Sequence, residues 1–190
     1  MLRVKYNAPV ILTYAFLCAL VLLLTQLLLP SLTNQWFTVG GRGSFSPSSL
    51  PSWVRLVSHA VGHSGWDHLL GNCMLLLLIG PILEEQYGSS FLFSMMLLTS
   101  LVTGILNVIF FESGIRGASG VVFMLILLSS FTNFSKGEIP LTFILIFALY
   151  LLREIFNSLT PNTVSEFAHI IGGFCGSVFG FFFYPKRRSA

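Results

Sequence analysis

The chain has 190 residues, of which 54% are hydrophobic and only 9% are charged, with a formal net charge of +3. Soluble domains carry about a quarter charged residues, so this composition excludes an ordinary water-soluble globular protein. The basic residues form no patch with interleaved aromatic side chains, which argues against nucleic-acid binding. The length suits a single domain over residues 1–190.

Six apolar segments follow one another along the chain, and they predict an all-α membrane protein with six transmembrane helices. The segments cover about residues 9–30, 66–83, 90–111, 119–132, 140–156 and 167–184. The first holds about 20 apolar residues, which is enough to cross a bilayer. No small-x-small cleavage site follows it, so we interpret it as a retained helix and not as a signal peptide.

Residues 31–65 form the one long connection, and Trp36 and Trp53 within it are typical of a membrane interface. Six spans put both termini on the same side of the membrane. Six of the 10 Lys and Arg residues then face the cytoplasm, which agrees with the positive-inside rule. We therefore expect a multi-pass protein of a bacterial inner membrane, with the long connection on the outer side.

The second segment carries His68 and Asn72 four residues apart, and therefore on one helix face. Two roles are open to them: hydrogen bonds between helices, or donation to an oxyanion. His59 and His63 precede this segment and are expected to hydrogen-bond the outer loop. With Asp67 they share a four-residue spacing, but the chain has no HExxH motif, so no metal site is predicted.

The fourth segment begins at Ser119 and is short, because about 14 residues span only ~21 Å of a ~30 Å hydrocarbon core. A short span has to start below the membrane surface, where irregular backbone is tolerated only inside protein or beside a cavity. We expect residues 114–119 to enter the protein interior from the outer side. Two roles are open to Ser119, a helix N-cap and a nucleophile.

The sixth segment carries His169 near its start and continues with a stripe of glycines on one helix face. The stripe consists of Gly172, Gly173, Gly176 and Gly180. Small residues let another helix approach closely, and that helix is either the fourth of this chain or the same helix of a second copy. In isolation, His169 is also compatible with a packed core histidine.

If the fourth and sixth helices pack together, His169 reaches Ser119 and can take its proton as a neutral imidazole. The residues then predict a Ser–His dyad without a committed third member. Asn72, His68 and the backbone N–H of Ser119 are the candidate donors to the developing oxyanion.

In these motifs the chain resembles the rhomboid family of intramembrane serine proteases. The motifs are His68-x-x-x-Asn72, Gly117-x-Ser119-Gly120 and Ala168-His169-x-x-Gly172, in the second, fourth and sixth segments. Further matches are Arg55, Ser58 with His59, and His63 before the second segment, and Glu84 with Gly88 after it. The resemblance covers about residues 10–184 and predicts the minimal six-helix form of the family.

The resemblance implies a six-helix bundle with a partly membrane-embedded first loop and a water-filled cavity that opens to the outer side. It implies cleavage of transmembrane proteins near their outer ends, without a cofactor. It assigns Ser119 as the nucleophile, His169 as the general base, and Asn72, His68 and the Ser119 amide to the oxyanion site. Structural support falls to Arg55, His59, His63, Glu84, Gly117, Gly120, Phe123, Gly172 and Gly176.

Three positions depart from the family's pattern. Val54 precedes Arg55 where the family often has Trp, and Phe123 stands where many members have a Tyr stacked under the base. Phe123 still offers a ring to the imidazole, but no hydroxyl. Arg116 occupies a position that is often glycine, and it makes the rim of the cavity more basic.

Other functions remain open from the sequence. One is a rhombosortase-type sorting protease that cleaves C-terminal tags, and another is a non-enzymatic rhomboid-like binder of transmembrane helices, which would typically lack the serine or the histidine. A transporter or channel would need paired charges or inverted repeats. The expected partners are transmembrane substrates and membrane lipid, and the sequence fixes neither the substrate nor the oligomeric state.

Overall fold

A computed structural model describes residues 4–131, 141, 144, 145, 148, 149, 152 and 166–183 of the chain. We number its helices in chain order. They are α1 (Pro9–Leu27), α2 (Leu32–Trp36), α3 (Leu50–Ser58), α4 (Trp66–Tyr87), α5 (Ser89–Phe110), α6 (Ser119–Ser129) and α7 (Glu166–Phe182).

Three of these helices, α1, α4 and α5, are long and apolar enough to cross a membrane. They coincide with the first three predicted spans. Helices α6 and α7 coincide with the fourth and sixth, and both are apolar but shorter. Most of the fifth predicted span, residues 140–156, lies outside the described residues. Its described members are all helical, namely Leu141, Ile144, Leu145, Ala148, Leu149 and Leu152.

Helix α6 lies at the centre of the described bundle, in contact with α4, α5 and α7. Every residue from Gly120 to Leu125 is buried, and so are Leu127 and Leu128. A helix that is apolar on all sides is expected to be surrounded by protein or lipid, and here protein surrounds it. The 11 residues of α6 span ~16 Å, about half of a ~30 Å hydrocarbon core, and its first residue, Ser119, is half-buried.

The start of α1 is held by a carboxylate from the end of α4. Glu84 is buried, and its two oxygens accept the backbone N–H groups of Val10 and Ile11, each at 3.0 Å. The Ser89 hydroxyl donates a third hydrogen bond to it at 2.7 Å. The first N–H groups of a helix have no partner within the helix, so Glu84 supplies acceptors that α1 otherwise lacks.

The long first connection contains α2 and α3, packs against α5 through α3, and is hydrogen-bonded to the segment that precedes α6. Arg55 in α3 donates from Nε to the carbonyl oxygen of Gln35 at 2.7 Å, which joins α3 to α2. An antiparallel bridge pairs Val39 with Ile115, with N–H···O distances of 3.1 and 2.9 Å. The first connection is thus tied by hydrogen bonds to the segment that leads into Ser119.

Candidate active site

Ser119 is the first residue of α6, and Ala118 before it occupies the N-cap position. No side chain caps this end of the helix. The capping role that the sequence left open for Ser119 is therefore not seen. The backbone N–H groups of the first turn are left without helical partners, as at any helix N-terminus, and point out of its end.

The turn before Ser119 requires glycine at position 117. Gly117 has φ +130°, and a Cβ built there would lie 2.7 Å from Nε2 and Cε1 of His68. A side chain would therefore be strained by the backbone and would also strike the imidazole. The close fit puts the ring of His68 directly against the loop that carries Ser119.

Two glycines of the stripe in α7, Gly172 and Gly176, pack against α6. A Cβ on Gly172 would overlap the carbonyl oxygen of Gly120, and one on Gly176 would overlap that of Met124. On the other helix, a Cβ on Gly120 would come within 3.1 Å of the carbonyl oxygen of Ala168. Backbones in such close contact leave no room for larger residues, as expected of small-residue helix interfaces in membranes.

This contact brings His169 to the start of α6. The ring of His169 lies over that of Phe123, with centroids 4.5 Å apart and planes 34° from parallel, and the imidazole is buried. Phe123 follows Ser119 by four residues, so the two side chains share one face of α6. The imidazole therefore sits on the face of α6 that carries the Ser119 hydroxyl at its N-terminal end.

Asn72 and His68 reach the same end of the bundle from α4. Asn72 is buried, and its Nδ2 lies 3.2 Å from Nε2 of His63. Nδ1 of His63 lies 3.0 Å from the carbonyl oxygen of Val61, which fixes the proton on Nδ1 and leaves Nε2 as an acceptor. The backbone N–H of Ala118 also points at that nitrogen, at 3.5 Å.

The contact of His63 with both Asn72 and Ala118 was not predicted from the sequence. We expected His63 to bond the outer loop, and its Nδ1 does so through Val61. The other nitrogen joins two groups that lie 9 and 55 residues away along the chain. No local spacing signals such a bond, because it depends on how α4 and α6 meet.

His59 supports the same turn from a different side. Its backbone carbonyl accepts the N–H of Gly117 at 2.9 Å, and its Nδ1 lies 3.1 Å from the carbonyl oxygen of Arg55. Burial lowers the pKa of His59 to about 4. Burial, reinforced by the neighbouring His68, lowers the pKa of His63 to about 4 as well. Both imidazoles are therefore neutral at physiological pH.

A small cavity of about 10 Å³ adjoins the backbone on either side of Ser119. Its lining includes Gly117, Gly120, His59, Ser100 and Thr103. The two hydroxyls donate to carbonyls of their own helix, so their oxygens remain available as acceptors. The cavity has room and polar partners for about one water molecule.

Arg116, whose role the sequence left open, is exposed beside this turn. Its Nη1 donates a hydrogen bond of 2.9 Å to Oδ1 of Asn34, which belongs to α2. The guanidinium also lies close enough to His68 to act on the imidazole electrostatically. Arg116 therefore stands at the edge of the site, linked to the first connection.

Comparison with known proteins finds one matching family. The family model described as the rhomboid domain matches residues 50–186. The chain is 24% identical over 164 residues to Rhomboid-like protein 11, chloroplastic, of Arabidopsis thaliana, an alignment that covers 77% of the chain and 59% of that protein.

Two further relatives from the same plant are more similar over shorter stretches. The chain is 32% identical to RHOMBOID-like protein 7 over 126 residues, with 63% of the chain and 39% of that protein covered. It is 33% identical to RHOMBOID-like protein 4 over 131 residues, with 67% and 33% covered. The chain thus spans between a third and three fifths of the length of these curated relatives.

Proposed function

The chain belongs to the rhomboid family, and on this basis we propose that it is an intramembrane serine endopeptidase that uses Ser119 and His169 as a catalytic dyad. The rhomboid domain and the apolar helices make it a multi-pass integral membrane protein. Its substrates are transmembrane proteins, cut near the outer face of the membrane.

One observation carries the proposal: the ring of His169 is stacked on Phe123, one helical turn from Ser119. The glycine contacts between α6 and α7 support this arrangement, because a Cβ on Gly172 or Gly176 would overlap the backbone of α6. A serine hydroxyl is a weak nucleophile until a neighbouring base accepts its proton, and a neutral imidazole is suited to do so near pH 7.

The proposed reaction begins when Ser119 Oγ attacks the scissile carbonyl carbon while His169 takes the hydroxyl proton. The resulting oxyanion accepts hydrogen bonds from the Ser119 N–H, His68 and Asn72. His169 then gives its proton to the leaving amine, which breaks the peptide bond and leaves an acyl group on Ser119. Water, deprotonated by His169, hydrolyses this ester and restores the dyad.

The dyad is tested with a serine-directed fluorophosphonate probe on the purified protein. We expect the wild type to be labelled, Ser119→Ala to remain unlabelled, and His169→Ala to react at least ~10³-fold more slowly. Ser94→Ala is the matched control, since Ser94 is an exposed serine that bonds only its own helix. Equal labelling of all four proteins would refute the dyad, and a protein that only binds helices would not be labelled.

The oxyanion role of Asn72 is tested by cleavage of a generic transmembrane substrate. Loss of one donor typically costs ~10²–10³ in kcat, and we expect that loss for Asn72→Ala. Cys73→Ala, at the adjacent half-buried position, should cleave as the wild type does. Undiminished cleavage by Asn72→Ala would show that backbone donors and His68 suffice.

A further inference from the structure

Arg116 is close to the proposed reacting atoms but belongs to none of the groups assigned above. It precedes Gly117, where a Cβ would strike the ring of His68, and it comes three residues before Ser119. Three residues extend at most ~11 Å, and an arginine side chain reaches several ångströms further. Its guanidinium can therefore meet a substrate within a few residues of the bond that is cut.

The charge of Arg116 is not neutralised within the described part of the chain. The ion pair found there joins Arg42 to Glu112, two exposed residues at a different point of the same surface. The partner of Arg116 is the amide oxygen of Asn34, a neutral acceptor that occupies one N–H of a group with five. An exposed guanidinium held by a neutral partner keeps its full positive charge for a ligand.

Two contacts give this guanidinium a defined position. The bridge between Val39 and Ile115 fixes the backbone on its N-terminal side, and the bond to Asn34 fixes the side chain. Preorganisation of this kind reduces the entropy lost when a ligand binds, so a directed arginine binds a carboxylate better than a mobile one does.

We propose that Arg116 is a specificity-determining residue that selects substrates with a carboxylate side chain, Asp or Glu, within about four residues of the scissile bond. The proposal rests on the protease function proposed above. Arg116 binds this carboxylate in its planar, bidentate geometry.

The test measures binding without requiring cleavage. Transmembrane peptides with a single Asp, moved one position at a time along their outer end, are compared with the same peptides carrying isosteric Asn. The receptor is full-length Ser119→Ala protein in neutral detergent without anionic lipid. We expect one or two positions where Asp binds about five- to tenfold more tightly than Asn, which corresponds to ~1–1.4 kcal/mol.

Three added substitutions identify the cause. In Arg116→Gln the Asp/Asn ratio should fall to about one. Asn34→Asp should also abolish the preference, because it gives the unchanged arginine a carboxylate of its own. Arg42→Gln, the matched control, should keep the wild-type ratio, because Arg42 is already paired with Glu112.

The outcomes separate this inference from the function on which it rests. If the Asp/Asn binding ratio is the same with Arg116 and in Arg116→Gln, carboxylate selection is overturned, whatever the protein cleaves. Equal weakening of Asp and Asn peptides by Arg116→Gln also overturns it, and would point instead to a folding role or to a contact that does not involve the carboxylate. If wild-type protein cleaves none of the peptides, the proposed function fails, while the binding ratios still decide the role of Arg116.

Discussion

His59 and His63 act on the candidate site as neutral imidazoles. Each has Nδ1 directed at a backbone carbonyl, and His63 offers its other nitrogen to Asn72 and to the backbone of Ala118. Protonation would turn that acceptor into a donor facing two donors. Burial prevents this near neutral pH by holding the pKa of both residues at about 4.

This neutrality makes stability depend on pH in a defined window. The pKa of an unfolded histidine is about 6.5, so between pH 6.5 and pH 4 the unfolded chain binds protons that the folded chain does not. The stability that the folded chain gains by keeping each imidazole neutral is therefore fully present above about pH 6.5 and is lost as the pH falls towards 4. We expect a decline on the order of 3 kcal/mol for each histidine, measured as the free energy of unfolding in mixed micelles.

The variants His59→Gln and His63→Gln isolate this effect from carboxylate titration. Each should be less stable than the wild type at pH 7.5 and should lose less stability on going to pH 4.5. A pH dependence identical to that of the wild type in both variants would contradict the neutral-imidazole interpretation.

The sequence offered candidate residues for the site but not their partners. A polar or ionisable side chain in an apolar segment is energetically costly and therefore marks a functional candidate. This reasoning selected Ser119, His169, Asn72 and His68, whose roles remain predictions. The bond from Arg116 to Asn34 spans 82 positions and follows from the path of the first connection over the bundle. Contacts of that kind depend on tertiary packing and leave no periodic signal.

The candidate site depends on the close packing of helix α7 against helix α6. Gly176→Ala would place a methyl group against the carbonyl of Met124 and force α7 away from α6. Overpacking of this kind typically costs 1–3 kcal/mol, so we expect a lower free energy of unfolding and slower labelling of Ser119. Thermal unfolding and fluorophosphonate kinetics measure the two effects.

Gly71→Ala is the control for that substitution, because a Cβ on Gly71 in α4 would meet nothing within 4 Å. Alanine favours a helix interior by up to ~1 kcal/mol over glycine, so this variant should be unchanged or slightly more stable. If Gly176→Ala behaved like Gly71→Ala, the close contact between the helices would not limit the position of α7.

The hydrogen bonds that Glu84 makes at the end of α4 support a further prediction about helix stability. Replacing Glu84 by Gln exchanges an acceptor for a donor opposite the N–H groups of Val10 and Ile11. An unsatisfied buried group costs about 1–3 kcal/mol, and we expect that loss in the unfolding free energy. Glu85→Gln, at the exposed neighbouring position, should have no comparable effect.

The same carboxylate explains where the predicted bounds of α4 fail. The apolar segment ends near residue 83, and the charged residues that follow read as a loop, yet the helix continues to Tyr87. Glu84 is bound to the start of α1, so the helix gains from including it, and Gly88 with φ +81° ends the helix instead. Hydrophobicity located the span, and tertiary contacts set its end.

At the scale of the whole molecule, we propose that both termini face the cytoplasm and that the first connection faces outward. Single cysteines test this in a background where Cys18, Cys73 and Cys175 are replaced by alanine. In intact cells, a membrane-impermeant maleimide should label Ser48→Cys in the exposed first connection and should label Lys5→Cys only after lysis. The reverse pattern would invert the topology, and with it the side of the membrane on which substrates are cut.

The bridge between Val39 and Ile115 joins the first connection to the segment that leads into Ser119, so a movement of that connection in the membrane would reach the site. Helix α3 in the first connection exposes Leu50 and Trp53, and we propose that these side chains hold it at the membrane interface. On this proposal the depth of α3 would follow the thickness of the leaflet, and the bridge would carry that displacement to Ile115, four positions before Ser119. Turnover in vesicles should accordingly be greatest at one acyl-chain length and decline on either side of it.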